Sequence, residues 1–95
     1  MNAQAQEDGL DQTPLAAPGI DVRPAGTETL AYLPESGRVH VLNMFAARVL
    51  LRSDGETTIA AMVDDIVSVT GAERDRVARD VVAICDDFRS RGLLS

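Results

Sequence analysis

Two amphipathic segments in tandem, between residues 57 and 94, most constrain what this chain can fold into. Each repeats apolar residues at the i, i+3, i+4 spacing that places them on one face of a helix. The second segment begins near Thr70 and ends at Gly92, because glycine commonly follows the last residue of a helix. A helical scaffold with a wide apolar face indicates binding rather than catalysis. The apolar face of the first segment consists of Ile59, Met62, Val63 and Ile66.

The helix predicted from the second segment, which runs to about Arg91, is more apolar than contact with a small core requires. Either its two apolar stripes form one wide core face, or the second stripe lines a groove for a partner. Thr70 and Glu73 have the spacing of a capping box at the start of this helix. The first stripe consists of Val77, Val81, Ile84 and Phe88, and the second of Ala78, Val82 and Cys85.

Three short segments ahead of the helices have the character of strands. They alternate apolar with polar residues or are rich in β-branched residues, and turns that contain glycine or proline separate them. Short connections favour hairpins, so the sheet is predicted to be antiparallel. Pro24 ends the first strand or confines it to an edge. The predicted strands cover residues 20–23, 29–33 and 38–42.

Asn43 begins a first helix, because its side chain can accept a hydrogen bond from a free backbone N–H one turn later. Ala46, Val49 and Leu50 form the apolar face of that helix. The predicted fold class is therefore α+β, with a small three-stranded antiparallel sheet followed by three helices. Residues 1–18 are rich in Gln, Ala, Asp and Pro without a period, which predicts a disordered tail ahead of one folded domain over residues 19–95.

Charge and composition narrow the classes of partner. A net charge of −6 argues against nucleic acid, because phosphates are usually bound by a surplus of lysine and arginine. The single cysteine, Cys85, has no partner for an internal disulfide, which fits a reducing compartment. The sequence shows neither a signal peptide nor an apolar run of the roughly 20 residues that a membrane helix needs. We expect a cytoplasmic protein without a membrane partner.

The sequence contains few residues that could act in catalysis. His40 is the only histidine and lies in a predicted strand, and Cys85 lies in a predicted helix, where a thiol is usually inert. One cysteine and one histidine are too few for a zinc site. The carboxylates of Asp64-Asp65 and Asp86-Asp87 occupy adjacent helix positions and point about 100° apart, so they are poor acid–base partners. We expect no catalytic residue, no metal and no cofactor.

Arg74, Arg76 and Arg79 cluster at the start of the third helix. They form either a solvated face that neighbouring carboxylates balance through i, i+4 pairs, or a local basic patch for an acidic segment of a partner. The residues alone leave both interpretations open.

Several short motifs accompany this order of elements. They are Leu42-Asn43 before the first helix, Ala47 within it, Asp54-Gly55, Thr57-Thr58, Ile59, Val63, Asp80-Val81, Phe88 and Gly92-Leu93-Leu94. In this order and spacing, the chain from residue 20 to residue 94 resembles the PqqD-like family, whose members are also called RiPP recognition elements. The resemblance implies a winged helix-turn-helix-like fold.

The resemblance also implies a non-catalytic role in the biosynthesis of peptide natural products. Such a domain binds the leader region of a ribosomally synthesised precursor peptide and presents it to a modifying enzyme or a leader peptidase. In the family the leader adds as an extra strand along the third strand and rests against the third helix. Carried over to this chain, the peptide-binding residues are Arg38, Val39, His40, Val41 and Leu42 on the strand, and Arg74, Val77, Ala78, Val81, Val82 and Cys85 on the helix.

Two alternatives remain at this stage. A winged-helix DNA-binding regulator has helices of suitable length, but the acidic net charge argues against it. A homodimer that covers the exposed strand or the second apolar stripe with another copy of the chain is the other alternative. An independent enzyme is disfavoured by the residue inventory.

Overall fold

The structure is a computed structural model, and it describes residues 9–95. Three strands precede three helices, which confirms the predicted α+β fold class. The strands are β1 (Asp21–Ala25), β2 (Glu28–Leu33) and β3 (Arg38–Leu42). The helices are α1 (Met44–Leu51), α2 (Ile59–Thr70) and α3 (Arg74–Arg91).

The three strands form one antiparallel sheet in the order β1-β2-β3. β2 is central, so β1 and β3 are both edge strands. Pro24 lies on β1, as expected, because an edge strand tolerates a residue without an N–H donor. In the register of β2 and β3, Ala31 lies opposite His40 and Leu30 lies opposite Val41.

The helix ends follow local capping chemistry. The side-chain oxygen of Asn43 accepts from the backbone N–H of Ala46 at 2.8 Å, and the hydroxyl of Thr58 accepts from that of Ala61 at 3.0 Å. Both bonds satisfy donors that the first helical turn leaves free. Gly92 ends α3 with a φ of 78°, the left-handed conformation that glycine adopts without steric cost.

The predicted capping box is wrong. Thr70 is the last residue of α2, where its hydroxyl donates to the carbonyl oxygen of Ile66 at 2.8 Å and accepts from the N–H of Ala72 at 3.2 Å. Glu73 is the N-cap of α3 and makes no side-chain capping bond. Thr70 therefore completes the preceding helix and is not available to begin the next one.

The core lies where α2 and α3 pack together and where α1 meets the sheet and α3. The predicted apolar face of α2 is buried in full. On α1, Ala47 is buried in place of the predicted Ala46, which is only half-buried. The buried residues of α3 are Val77, Val81, Cys85 and Phe88, so Cys85 belongs to the core face and Ile84 lies at its margin.

The predicted disordered tail needs correction for residues 12–17, while residues 1–8 lie outside the described part of the chain. The backbone of residues 12–17 is hydrogen bonded to the α1–α2 loop, to the start of α2 and to the C-terminal residues, and Pro14 is buried. Polar composition predicted disorder, but these bonds hold the backbone in place. The bonds are Ile59 N–H to Gln12 O, Gly55 N–H to Pro14 O, Ala16 N–H to Ser53 O, Ala17 N–H to Leu93 O and Ser95 N–H to Leu15 O.

Candidate peptide-binding site

β3 presents one open edge. It pairs with β2 on one side, and no other strand of the described residues pairs with its second side. In an antiparallel ladder, alternate residues direct both N–H and C=O toward the partner strand, and the residues between them direct these groups away. Part of the backbone of Arg38–Leu42 is therefore available to an added strand.

The side chains of β3 divide between the two faces of the sheet. Leu42 is buried, and His40 lies opposite the fully buried Ala31, so both belong to the inner face. Nε2 of His40 is buried and has no hydrogen-bond partner among the described residues. Val39 and Val41 belong to the outer face, where they are 54% and 55% exposed. The edge strand is thus chemically different on its two faces.

The predicted α3 contacts are only partly accessible. Val77, Val81 and Cys85 are at most 3% exposed, so their side chains pack in the core and do not line a groove in this structure. Burial also raises the pKa of the Cys85 thiol above its ordinary value. Ala78 and Val82 are half-buried. The second stripe therefore divides, with Cys85 in the core and the other two residues at the surface.

Ala78 and Val82 line a surface depression of about 430 Å³ together with Arg74. Gly9 and Leu10, from the segment ahead of the sheet, line the same depression. None of the described β3 residues borders it. The structure therefore brings the accessible α3 residues of the predicted site together in one depression, and no β3 residue of that site joins them there.

A second depression, of about 530 Å³, joins the start of β3 to the end of α3. Arg38 borders it beside Arg89 and Arg91, two residues that no sequence pattern indicated as part of a site. Arg89 is paired with Asp86 at 3.2 Å and Arg91 with Asp87 at 3.0 Å. Arg38 makes no ion pair within residues 9–95. No local signal could have found this cluster, because its members are about fifty residues apart and meet only through the fold.

The arginines at the start of α3 do not form the predicted i, i+4 pairs. Arg74 reaches across to α2 and pairs with Asp64 at 2.9 Å. Arg76 and Arg79 are exposed and make no ion pair within the described part of the chain. Because the Arg74–Asp64 pair is itself largely exposed, its contribution to stability is small.

Residues 9–95 show neither a metal-binding cluster nor a membrane-spanning helix. No group of three histidine, cysteine, aspartate or glutamate residues there is placed to hold a metal ion. None of the helices described has the length and apolarity needed to cross a membrane.

The fold and the open edge define a class of protein: a small α+β domain in which an edge strand with one open side is followed directly by three packed helices. Residues 28–94 match the family model described as coenzyme PQQ synthesis protein D (PqqD). Because this match covers more than half of the chain, the chain belongs to the PqqD family, and the family resemblance of the sequence is confirmed.

The fold is also that of a solved structure, "TbiB1 in Complex with the TbiA(beta) Leader Peptide". The two structures superpose with a TM-score of 0.76 over 85% of this chain and 94% of that chain. Their sequence identity is 16%, so the likeness establishes the fold alone. No curated protein matches the chain. Neither matching description refers to DNA, so the DNA-binding alternative gains no support.

Proposed function

We propose that this chain is a non-catalytic recognition domain that binds the leader region of a ribosomally synthesised precursor peptide by strand addition. The observation that carries the proposal is the open edge of β3, Arg38–Leu42, in a chain of the PqqD family. The matching fold of TbiB1, which was solved with a leader peptide, supports it.

Strand addition suits a partner whose sequence varies. The added strand satisfies the free N–H and C=O groups of β3, and these main-chain bonds form whatever the side chain, except that proline has no N–H to donate. Each such bond contributes only about 0.5–1.5 kcal/mol net, and a strand of five residues forms few of them. Side chains beside the edge must therefore supply the remaining affinity and all of the selectivity.

The residues of the proposed site fall into two groups. The backbone of β3 pairs with the leader, and the accessible helix residues Arg74, Ala78 and Val82 contact it through their side chains. Val77, Val81 and Cys85 act from the core, because their packing fixes the position of α3. On this proposal they are positioning residues and do not touch the peptide.

The proposed partners follow from this arrangement. A leader held along β3 leaves the rest of the precursor free, so a modifying enzyme or leader peptidase can act on it while the leader stays bound. The domain itself needs no catalytic group, metal or cofactor for this role. The encounter takes place in the cytoplasm, where the ribosome releases the precursor.

The test is a titration of the protein against a fluorescently labelled leader peptide encoded by the short open reading frame nearest its gene. We expect saturable binding with a Kd of about 1 μM or tighter, which corresponds to roughly −8 kcal/mol. A scrambled leader of the same composition is the matched control and should not bind. Absence of binding by a protein shown to be folded contradicts the proposal.

A backbone scan of the same peptide tests the mode of binding. N-methylation of one leader residue at a time removes one N–H donor and leaves the side chain unchanged. In strand addition only alternate residues donate to β3, so affinity should fall at every second position. If affinity falls at positions that do not alternate in this way, the leader does not bind by strand addition.

A further inference from the structure

The outer face of the sheet carries an exposed apolar patch, which we call the outer patch and define as Leu30, Tyr32, Val39 and Val41. Two cross-strand pairs compose it, since Leu30 lies opposite Val41 and Tyr32 lies opposite Val39. Leu30 is half-buried, but Tyr32, Val39 and Val41 are 42%, 54% and 55% exposed. These side chains do not belong to the core and have no role in holding the sheet against the helices.

The outer patch is confined to β2 and β3 and ends at the open edge of β3. On β1, at the opposite side, the same face carries Asp21 opposite Tyr32 and Arg23 opposite Leu30. Asp21 and Arg23 form an ion pair with one another at 2.9 Å. The outer face therefore changes from charged at β1 to apolar at β3, where a further strand would continue it.

We infer that the leader strand bound at β3 carries apolar side chains at alternate positions, and that these extend the outer patch beyond Val39 and Val41. This inference rests on the proposed function. Side chains on one face of neighbouring strands lie about 4.5–5.5 Å apart, so only a strand at this edge places side chains directly beside both valines. The continuity of the apolar face with the open edge selects the leader as its occupant.

The two faces of β3 also set the register of the leader. A slip of one residue turns every side chain of a strand to the opposite face. The apolar residues of a slipped leader would then face the inner side of β3. The exposed Arg38 lies there, as does Nε2 of His40, which has no hydrogen-bond partner within residues 9–95. A leader with apolar residues outward and polar residues inward fits in one register only.

The protein side of the inference is tested with Val39→Thr and Val41→Thr, which keep the β-branched shape and replace one methyl group by a hydroxyl. Each should weaken leader binding by roughly three- to fivefold, because a cross-strand apolar contact becomes polar. Arg23→Thr changes the same face on β1 and is the matched control with unchanged affinity. Val41→Ile keeps the contact apolar and should retain binding. Circular dichroism and thermal unfolding establish that each variant is folded.

The peptide side is tested by replacing each leader residue in turn with serine. Affinity for the wild-type protein should fall at two positions separated by one residue, and these same replacements should have less effect on Val39→Thr or Val41→Thr. A smaller effect in the variant identifies a direct contact between the two side chains.

The outcomes separate this inference from the proposed function. If the wild-type protein does not bind the leader, the proposed function fails. If the leader binds and both threonine variants bind it as tightly as the wild type, the proposed function stands and the inference is overturned. If light scattering shows a dimer that the threonine substitutions dissociate, the outer patch is a contact between copies of the chain, and the inference is again overturned.

Discussion

The backbone N–H of Ala17 donates to the carbonyl oxygen of Leu93 at 2.9 Å, so the segment ahead of the sheet is tied to the residues that follow the last helix. One residue earlier, the N–H of Ala16 donates to Ser53 in the loop between α1 and α2 at 2.9 Å. The hydroxyl of the buried Ser53 in turn donates to Val49 of α1. Residues 12–17 thus connect parts of the chain that are distant in sequence, and we expect them to contribute to the stability of the domain.

Replacing Ala16 by proline should lower the free energy of unfolding by about 1–3 kcal/mol. Proline has no N–H, so the carbonyl oxygen of Ser53 loses its donor. Urea denaturation followed by circular dichroism measures the change. Ala16→Ser keeps the N–H and is the control. Equal urea midpoints for the two variants would show that residues 12–17 do not stabilise the fold.

Replacing Gly55 by alanine should cost about 1–2 kcal/mol, because this residue has a φ of 80° and an L side chain is strained there. The added Cβ would also lie 3.3 Å from Cδ1 of Leu15. Gly55→Asn should cost less, since asparagine tolerates the left-handed region better. Gly9→Ala is the control, because Gly9 has no positive φ and nothing lies within 4 Å of its added Cβ. Thermal unfolding of the three variants checks this order.

Acid should destabilise the wild-type protein partly through Asp54. The backbone N–H groups of Glu56 and Thr57 and the Thr57 hydroxyl donate to its carboxylate, which lowers the pKa of Asp54 below its ordinary value of 3.8. A lowered folded-state pKa stabilises the protein fully above the unfolded-state pKa, and this stabilisation is lost as the pH falls through the folded-state pKa.

The measurement is urea denaturation at several pH values from about 5 to about 2, a range that spans the ordinary aspartate pKa. Asp54→Asn has no proton to gain, so its stability should fall less steeply below about pH 4 than that of the wild type. Asp80→Asn removes an exposed carboxylate that accepts no hydrogen bond within the described residues and should follow the wild type. If the free energy of unfolding falls equally steeply with decreasing pH in the wild type and in Asp54→Asn, the role assigned to Asp54 is contradicted.

The thiol of Cys85 should not react with a disulfide reagent at pH 8 while the protein is folded. The side chain is fully buried, so the reagent cannot reach the sulfur atom. Burial also raises the pKa of the thiol, so the reactive thiolate form is disfavoured. Labelling should become rapid in urea, at the rate at which the protein unfolds. In a Cys85→Ser background, Val69→Cys places a thiol at an exposed position of α2 and should react at once. Rapid labelling of native Cys85 would show that α3 opens without global unfolding.

Replacing Ala78 by glutamate tests whether α3 contributes to the proposed leader site. The longer charged side chain would enter the depression that Ala78 shares with Arg74 and Val82, and leader affinity should fall about fivefold or more. Ala72→Glu makes the same change in charge at an exposed position before α3 and should leave the affinity unchanged. Unchanged affinity in Ala78→Glu would restrict the site to the β3 edge.

Periodicity and capping predicted the elements of the fold well, because both depend on residues within one or two turns of each other. The bounds of β3 were predicted as observed, and so were the buried face of α2 and the cap at Asn43. The same local reasoning was wrong for Thr70. This residue lies between two helices, and its hydroxyl bonds to the last turn of α2 and not to the first turn of α3. It also selected Ala46 where Ala47 is buried, because adjacent small residues differ little in a helical pattern.

The candidate site was less predictable. The two stripes of α3 lie about 100° apart around the helix axis, and the position of the neighbouring elements decided that Cys85 is buried while Ala78 and Val82 remain at the surface. The outer patch depends on the register between β2 and β3. The pattern of a single strand does not contain that information.

By itself, the sequence determined the fold class, the order of the elements and the family, because these depend on local periodicity, caps and short motifs. The tertiary structure decided which α3 residues are accessible, how residues 12–17 connect the α1–α2 loop to the C-terminal residues, and which arginines gather at the start of β3. The physical reason is that burial and hydrogen bonding between distant residues arise only when the elements pack, and no local pattern encodes which surfaces then meet.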